Sequence, residues 1–399
     1  MTRLIAGLSL MSSGAAERLS ACYRRLASVA ILLTLAGLPA LPGPAAAEAG
    51  PRARVALLSQ KMLEDLTEHH VLGAVLAIDV PGQDALMLAS GHADRSRRQA
   101  MSVDHLFQIG SQTKLFTSSA IQLLERQGKL SLDDPVSSYV AGLPLSEDAS
   151  LRQLLNHSSG MGDSIQHFDP PEPPPKLALS FSDHRLLATV DGPRFAPGSR
   201  WDYNNFAYLV LAQVVEQVSG EAFQRFLRER LLQPYGLGSV FIGSADPCPE
   251  ARMARGYFPD PDGGTVIDTT CPDFSWAGAA GDMIADAASM LRWHRMLSTP
   301  GGDSDLGFDQ FQRDLVLTGA GDAFREYGLG LMVSNLSGSR LIGHGGNIHG
   351  YLSLTLTEPD SGVTYALMAN REDYDTDLPA RFLSLLSAVH ALVEAMLLQ

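Results

Sequence analysis

Lysine is scarce in this 399-residue chain: four residues, Lys61, Lys114, Lys129 and Lys176, stand against 26 arginines. Together the basic residues are outnumbered by 44 acidic ones, for a formal net charge of −14. So acidic a chain, without a long basic run, argues against nucleic acid and anionic membrane surfaces as partners. Cysteine is rarer still, at three residues. Neither a cysteine–histidine zinc spacing nor H-E-x-x-H occurs, so the sequence offers no metal site. G-x-S-x-G is missing, which removes the nucleophile elbow of the α/β-hydrolases. No Walker A sequence is present to cradle nucleotide phosphates. What remains is globular material, 45% hydrophobic and 19% charged, with ample core.

The N-terminal region reads as a targeting segment. Arg24 and Arg25 precede an apolar run over residues 26–41, Pro42-Gly43-Pro44 breaks it, and Ala45-Ala46-Ala47 follows. A basic flank, a short apolar core and a small-residue end describe a secretory signal peptide, so residues 1–47 are expected to be removed and the remainder to be periplasmic or secreted. Nowhere else do apolar residues run on for the 18 or more that a membrane span needs. Cys22 departs with the signal; Cys248 and Cys271 remain and are expected to pair as a disulfide staple in an oxidising compartment.

The rest, 48–399, reads as one continuous unit. The spacing predicts an amphipathic helix over 55–69, then a hairpin of strands 74–80 and 85–91 around Pro81-Gly82-Gln83-Asp84. A strand-like run at 106–109 leads through Gly110 to Ser111 and a helix that stops at Gly128. Residues 169–175 are proline-rich and read as a stiff loop. A second helix spans 205–218 and ends at Gly220. Strands are predicted at 329–335, 339–343, 352–358 and 363–369, with a turn at 359–362. Asp377 is expected to cap a final helix to about residue 398. Strands at both ends with helices between give an α+β architecture: an antiparallel sheet lobe from about 48–110 and 300–399, flanked by terminal helices, and a mostly helical lobe over about 111–299.

Three short motifs carry chemistry. In Ser111-Gln112-Thr113-Lys114, a serine hydroxyl needs a base to take its proton, and residues i and i+3 share one helix face. The positive end of the helix and burial both favour a neutral, basic lysine there. The Ser111 amide, at the helix start, is free to bind an oxyanion. In Tyr203-Asn204-Asn205, a tyrosine beside a lysine can relay protons, and Asn205 can orient Lys114 and hold a substrate carbonyl. By itself this triplet also fits a loop tyrosine before a helix-capping asparagine. In His344-Gly345-Gly346, paired glycines let a substrate backbone approach a strand edge. The amide of Asn347 follows as a second oxyanion donor. By itself this triplet also fits a glycine-rich turn with a surface histidine. Asp260-Pro261-Asp262-Gly263-Gly264 lacks the later Glu of a calcium loop and reads as a turn.

Taken in order, S-x-x-K, Y-x-N and H-x-G resemble the serine β-lactamase/DD-peptidase superfamily, on the branch with class C β-lactamases, soluble DD-carboxypeptidases and related esterases. Flanking stretches add to the likeness, among them Phe107-Gln108-Ile109-Gly110, Leu154-Leu155-Asn156-His157-Ser158-Ser159-Gly160 and Pro197-Gly198-Ser199-Arg200-Trp201. The resemblance implies Ser111 as nucleophile, Lys114 as its base partner and Tyr203 as proton relay. Asn205, His344, Gly345, Gly346 and Asn347 would contact substrate, and His157 would be structural. An acyl-enzyme mechanism follows, without metal or organic cofactor. The substrate would be a peptidoglycan-type D-amino-acid peptide or an ester, cleaved as a D-alanyl-D-alanine carboxypeptidase or esterase would; a β-lactam comes next. A non-catalytic relative that binds peptidoglycan or a partner is the rival. His344 departs from the lysine usual in β-lactamases of this branch, and a mostly neutral imidazole is a poor substitute for a fixed cation.

Overall fold

Pro51 opens the first helix, where a missing N–H costs nothing. This helix, α1 (Pro51–His69), buries Val55, Ser59, Met62, Leu63 and Leu66, a single stripe at helical spacing. The structure is a computed structural model that describes residues 50–399 except 97, 169–177, 261–265, 299–305, 322–323 and 374. The expected signal peptide, the proline-rich loop at 169–175 and residues 261–264 of the aspartate–glycine run lie outside the described residues.

The strands are β1 (Gly73–Asp79), β2 (Leu86–Gly91), β3 (Phe107–Gln108), β4 (Phe241–Ile242), β5 (Tyr257–Pro259), β6 (Val266–Asp268), β7 (Met283–Ala285), β8 (Val316–Leu317), β9 (Glu326–Tyr327), β10 (Met332–Leu336), β11 (Ser339–Ile348), β12 (Tyr351–Thr357) and β13 (Thr364–Asn370). The longer helices used below are α2 (Thr113–Arg126), α3 (Phe206–Ser219), α4 (Ala287–Ser298) and α5 (Leu378–Leu397). One antiparallel sheet runs β2-β1-β13-β12-β11-β10-β9-β8, so both ends of the chain share it. Every residue of β1, β12 and β13 is buried, because helices cover both faces. Along β12 the alternation divides the cores. Leu352, Leu354 and Leu356 face α1 and α5, while Ser353 and Thr355 face the helical half.

On the helical side α2 is the axle, with eleven of its 14 residues buried. Its hydroxyls are satisfied by backbone carbonyls: Thr117 donates to Ala279, Ser118 to Leu329 and Ser119 to Leu115. Cys248 and Cys271 are joined by a disulfide.

Two sequence expectations are corrected. The strand predicted at 339–343 continues to Ile348, because the following hairpin keeps Asn347 and Ile348 paired with Leu352 and Tyr351. Asp377 stands at the N-cap of α5 but its side chain makes no capping hydrogen bond. Among the described residues α5 is also long and apolar enough to cross a membrane by length and composition, although charged residues interrupt its apolar run; Leu378, Phe382, Leu386, Val389 and Val393 pack into the core under the sheet.

Candidate active site

The chain reaches Ser111 by a tight turn. β3 pairs with β7, and Gly110 then adopts a left-handed conformation (φ +52°) before a 3₁₀ turn, Gly110–Gln112. A Cβ at Gly110 would lie 3.3 Å from the amide nitrogen of Asn347, so this turn sets Ser111 directly against β11. Ser111 thus stands in the 3₁₀ turn rather than within α2, and Lys114 follows in the first turn of α2.

Lys114 is fully buried. Its Nζ donates to Ser111 Oγ at 3.0 Å, Asn205 Oδ1 at 2.7 Å and the Ala280 carbonyl at 2.9 Å. The ammonium form has three donors, one for each of these partners; the neutral amine keeps two of them and turns its lone pair to Ser111 Oγ, ready to take the serine proton. The same nitrogen lies 4.8 Å from the Tyr203 ring centroid and 5.4 Å from that of Tyr208.

Asn205 is free to serve the lysine because other residues cap its helix. One oxygen of Asp163 accepts the Asn205 N–H and the other those of Phe206 and Ile165, while Asn204 Oδ1 accepts the Ala207 N–H. Burial pushes the Asp163 carboxyl up, and these three backbone donors pull it back. The alternative of Asn205 as the capping side chain is therefore corrected: it makes no side-chain cap.

The third motif lies within β11, and His344 is buried, not on a surface turn. Its ring faces the helical half with Thr355, its cross-strand partner. β10 begins at Met332, opposite Gly343, so from His344 onward no β10 residue pairs with that edge. The Gly345 N–H points outward there, onto Met332 Sδ. With a period of two, the Asn347 N–H points the same way, beside Ser111. His344 Nδ1 lies 2.5 Å from the Gly345 carbonyl and Nε2 lies 2.9 Å from the Tyr327 hydroxyl. The carbonyl fixes the proton on Nδ1, and Tyr327 donates to Nε2. Burial first, then the Lys114 charge, push the His344 imidazole down to about 3, so it is neutral near pH 7.

Sequence reasoning missed Tyr327 and the Ala280 carbonyl. Neither belongs to a motif, and both arrive through tertiary structure alone. His157 is buried in a left-handed conformation (φ 62°), and its Nδ1 accepts the Asn204 N–H at 3.1 Å. Its ring centroid lies 4.3 Å from that of Tyr203 and 4.5 Å from that of Tyr327, which braces the tyrosine that flanks Lys114. Trp201 packs on Tyr203 and, edge-on, on Phe324.

Ser111 sits where two cavities meet. One, about 450 Å³, includes Tyr203, His344 and Gly345. The other is a narrow cleft that includes Asn205, Trp276 and Ile348.

Comparison with known proteins shows the family and the fold. The Beta-lactamase family model matches residues 58–390. Penicillin-binding protein 4* of Bacillus subtilis (strain 168) is 27% identical over 344 residues, covering 80% of this chain and 72% of that relative. A D-aminopeptidase of Brucella anthropi is 27% identical over 324 residues, 78% of this chain but only 59% of the relative. Among solved structures, D-amino acid amidase from Ochrobactrum anthropi SV3, complexed with L-phenylalanine amide, superposes with a TM-score of 0.77 at 25% identity, covering 86% of this chain and 99% of that one.

Proposed function

The chain belongs to the beta-lactamase family and is a serine hydrolase, and from that premise we propose that it is exported and cleaves a small peptide-type amide or ester through an acyl-enzyme on Ser111. The observation that carries this reading is Lys114 Nζ bridging Ser111 Oγ and Asn205 Oδ1 in a fully buried position beneath the open edge of β11. The Ser111 oxygen attacks the carbonyl carbon while its proton passes to the Lys114–Tyr203 pair. The carbonyl oxygen turns toward the amides of Ser111 and Asn347. The C–N or C–O bond then breaks as the proton moves to the departing atom, and water releases the acyl group by the same path in reverse. Amidase- and esterase-type chemistry stands ahead of β-lactam hydrolysis, since the imidazole of His344 is neutral where a fixed cation would hold a substrate carboxylate. For export, the support is the apolar run at 26–41 and a disulfide suited to an oxidising compartment.

The test is intact-mass measurement after exposure to benzylpenicillin, p-nitrophenyl acetate and D-alanine p-nitroanilide, with Ser111→Ala and Lys114→Ala alongside. An adduct or turnover in the parent alone is expected. Both variants should lose roughly a thousandfold in rate with unchanged circular dichroism. Equal rates for Ser111→Ala and the parent would remove Ser111 as nucleophile.

A further inference from the structure

The two cavities that meet at Ser111 differ in character. The larger runs past Gly345, over the uncovered edge of β11, to the opposite face of the sheet, where Leu352, Leu354, Phe382 and Leu383 wall it. Gly345 keeps this passage open. A Cβ built there would lie 3.6 Å from Leu354 Cδ1, and anything longer would enter the space itself. The smaller cleft, between Asn205, Trp276 and Ile348, leaves room for only a slight group.

Their chemistry sets them apart as well. The departing nitrogen or oxygen has to take up a proton as its bond to the acyl carbon breaks. Tyr203 lines the large cavity and not the cleft. The half of the substrate that leaves therefore occupies the large cavity, and the acyl half points to the cleft. Among the described residues lining the large cavity there is no Lys, Arg, Asp or Glu, and its only imidazole, His344, is engaged by Tyr327 and the Gly345 carbonyl. A carboxylate placed there would lose its hydration and meet no cationic side chain among the described residues of the cavity wall.

We propose that this cavity is a leaving-group site for neutral, apolar alcohols or amines, aryl or branched alkyl, and that the enzyme discriminates against leaving groups that carry a carboxylate. The inference rests on the acyl-enzyme reading of Ser111 and narrows it, from amides and esters in general to those whose departing half is uncharged, paired with a small acyl group. On acylation the Ser111 Oγ–C bond forms, the ester C–O bond breaks, and the departing oxygen leaves as a neutral alcohol with the proton taken from Ser111.

Phenyl acetate and 3-acetoxybenzoate test it, because they share an acyl group and a phenolic oxygen and differ by one remote carboxylate. After subtraction of spontaneous hydrolysis, kcat/KM for phenyl acetate is expected to be at least tenfold the higher. In Leu383→Trp, which narrows the far end of the cavity, the ratio of kcat/KM for 2-naphthyl acetate to that for phenyl acetate is expected to fall at least fivefold. Equal or faster turnover of 3-acetoxybenzoate, or an unmoved naphthyl-to-phenyl ratio in Leu383→Trp, would overturn the proposal. If neither ester shows Ser111-dependent turnover or acylation, the acyl-enzyme reading itself fails, and this inference with it.

Discussion

Gly345 and Gly346 are neighbours with unlike reasons to be glycine. A Cβ on Gly346 would lie 1.8 Å from the Ile109 carbonyl oxygen, whereas the nearest atom to one on Gly345 is 3.6 Å away. Gly346 is where β11 and the Ser111 turn touch backbone to backbone, and Ser353 Oγ clamps the same Ile109 carbonyl at 2.9 Å. Gly346→Ala should force the two apart, costing ~1–3 kcal/mol or more as overpacking does, while Gly345→Ala fits. Differential scanning calorimetry decides: a Tm several degrees lower for Gly346→Ala only is expected, and equal Tm values would show that the contact yields freely. The sequence marked both glycines as a substrate edge, which depends on local spacing. It had no means of showing that Gly346 meets Ile109. The pairing of Ser111 with Lys114 was legible because three residues of helix or 3₁₀ turn bring the two side chains together in either form.

At the scale of elements, the start of α3 joins stability to the site. Asp163 holds the N–H groups of Asn205 and Phe206, so the carboxylate that caps the helix also sets the residue that reaches Lys114. Asp163→Asn keeps one acceptor oxygen and loses the other. The expected cost is about 1–2 kcal/mol of stability, with a fall in kcat larger than any change in KM, read by urea unfolding and steady-state kinetics on the same sample. Unchanged kcat would separate the cap from the site. The helix itself was legible from its apolar run and from Gly220, which takes the left-handed conformation at its end. The capping aspartate was not, because it comes from a separate loop. The strand through His344 was also misjudged in length, since two glycines read locally as a turn while the hairpin with β12 holds them extended.

For the molecule as a whole, the order of the three motifs along the chain and the strands at both termini carried the architecture, and the sheet does unite both ends. What pattern could not reveal is the seam between sheet and helices. There His294 of α4 lies fully buried, with Nδ1 2.9 Å from Thr357 Oγ1 of β12. Burial pushes this imidazole down to about 3. The unfolded chain, with an ordinary histidine near 6.5, then binds one more proton than the folded one between those values. The stability is therefore complete above about pH 6.5 and is lost as pH falls toward 3. Asp282, pushed up to about 7 by burial, acts in the opposite sense, but equally in a His294→Gln variant, so it cancels in the comparison. The parent should lose ~1.4 kcal/mol per pH unit more than His294→Gln between pH 6 and 4. Parallel urea-unfolding curves at pH 6, 5 and 4 would refute it. The distribution of tryptophan has a practical consequence. Of the three indoles in the chain, Trp201 packs on Tyr203 and Phe324 at the large cavity, Trp276 lines the narrow cleft, and Trp293 is stacked on Phe116 in the core. Entry of a ligand on either side of Ser111 changes the surroundings of a different indole, so intrinsic fluorescence, compared between Trp201→Phe and Trp276→Phe variants, reports the two sides separately with no dye attached and Trp293 as a common background.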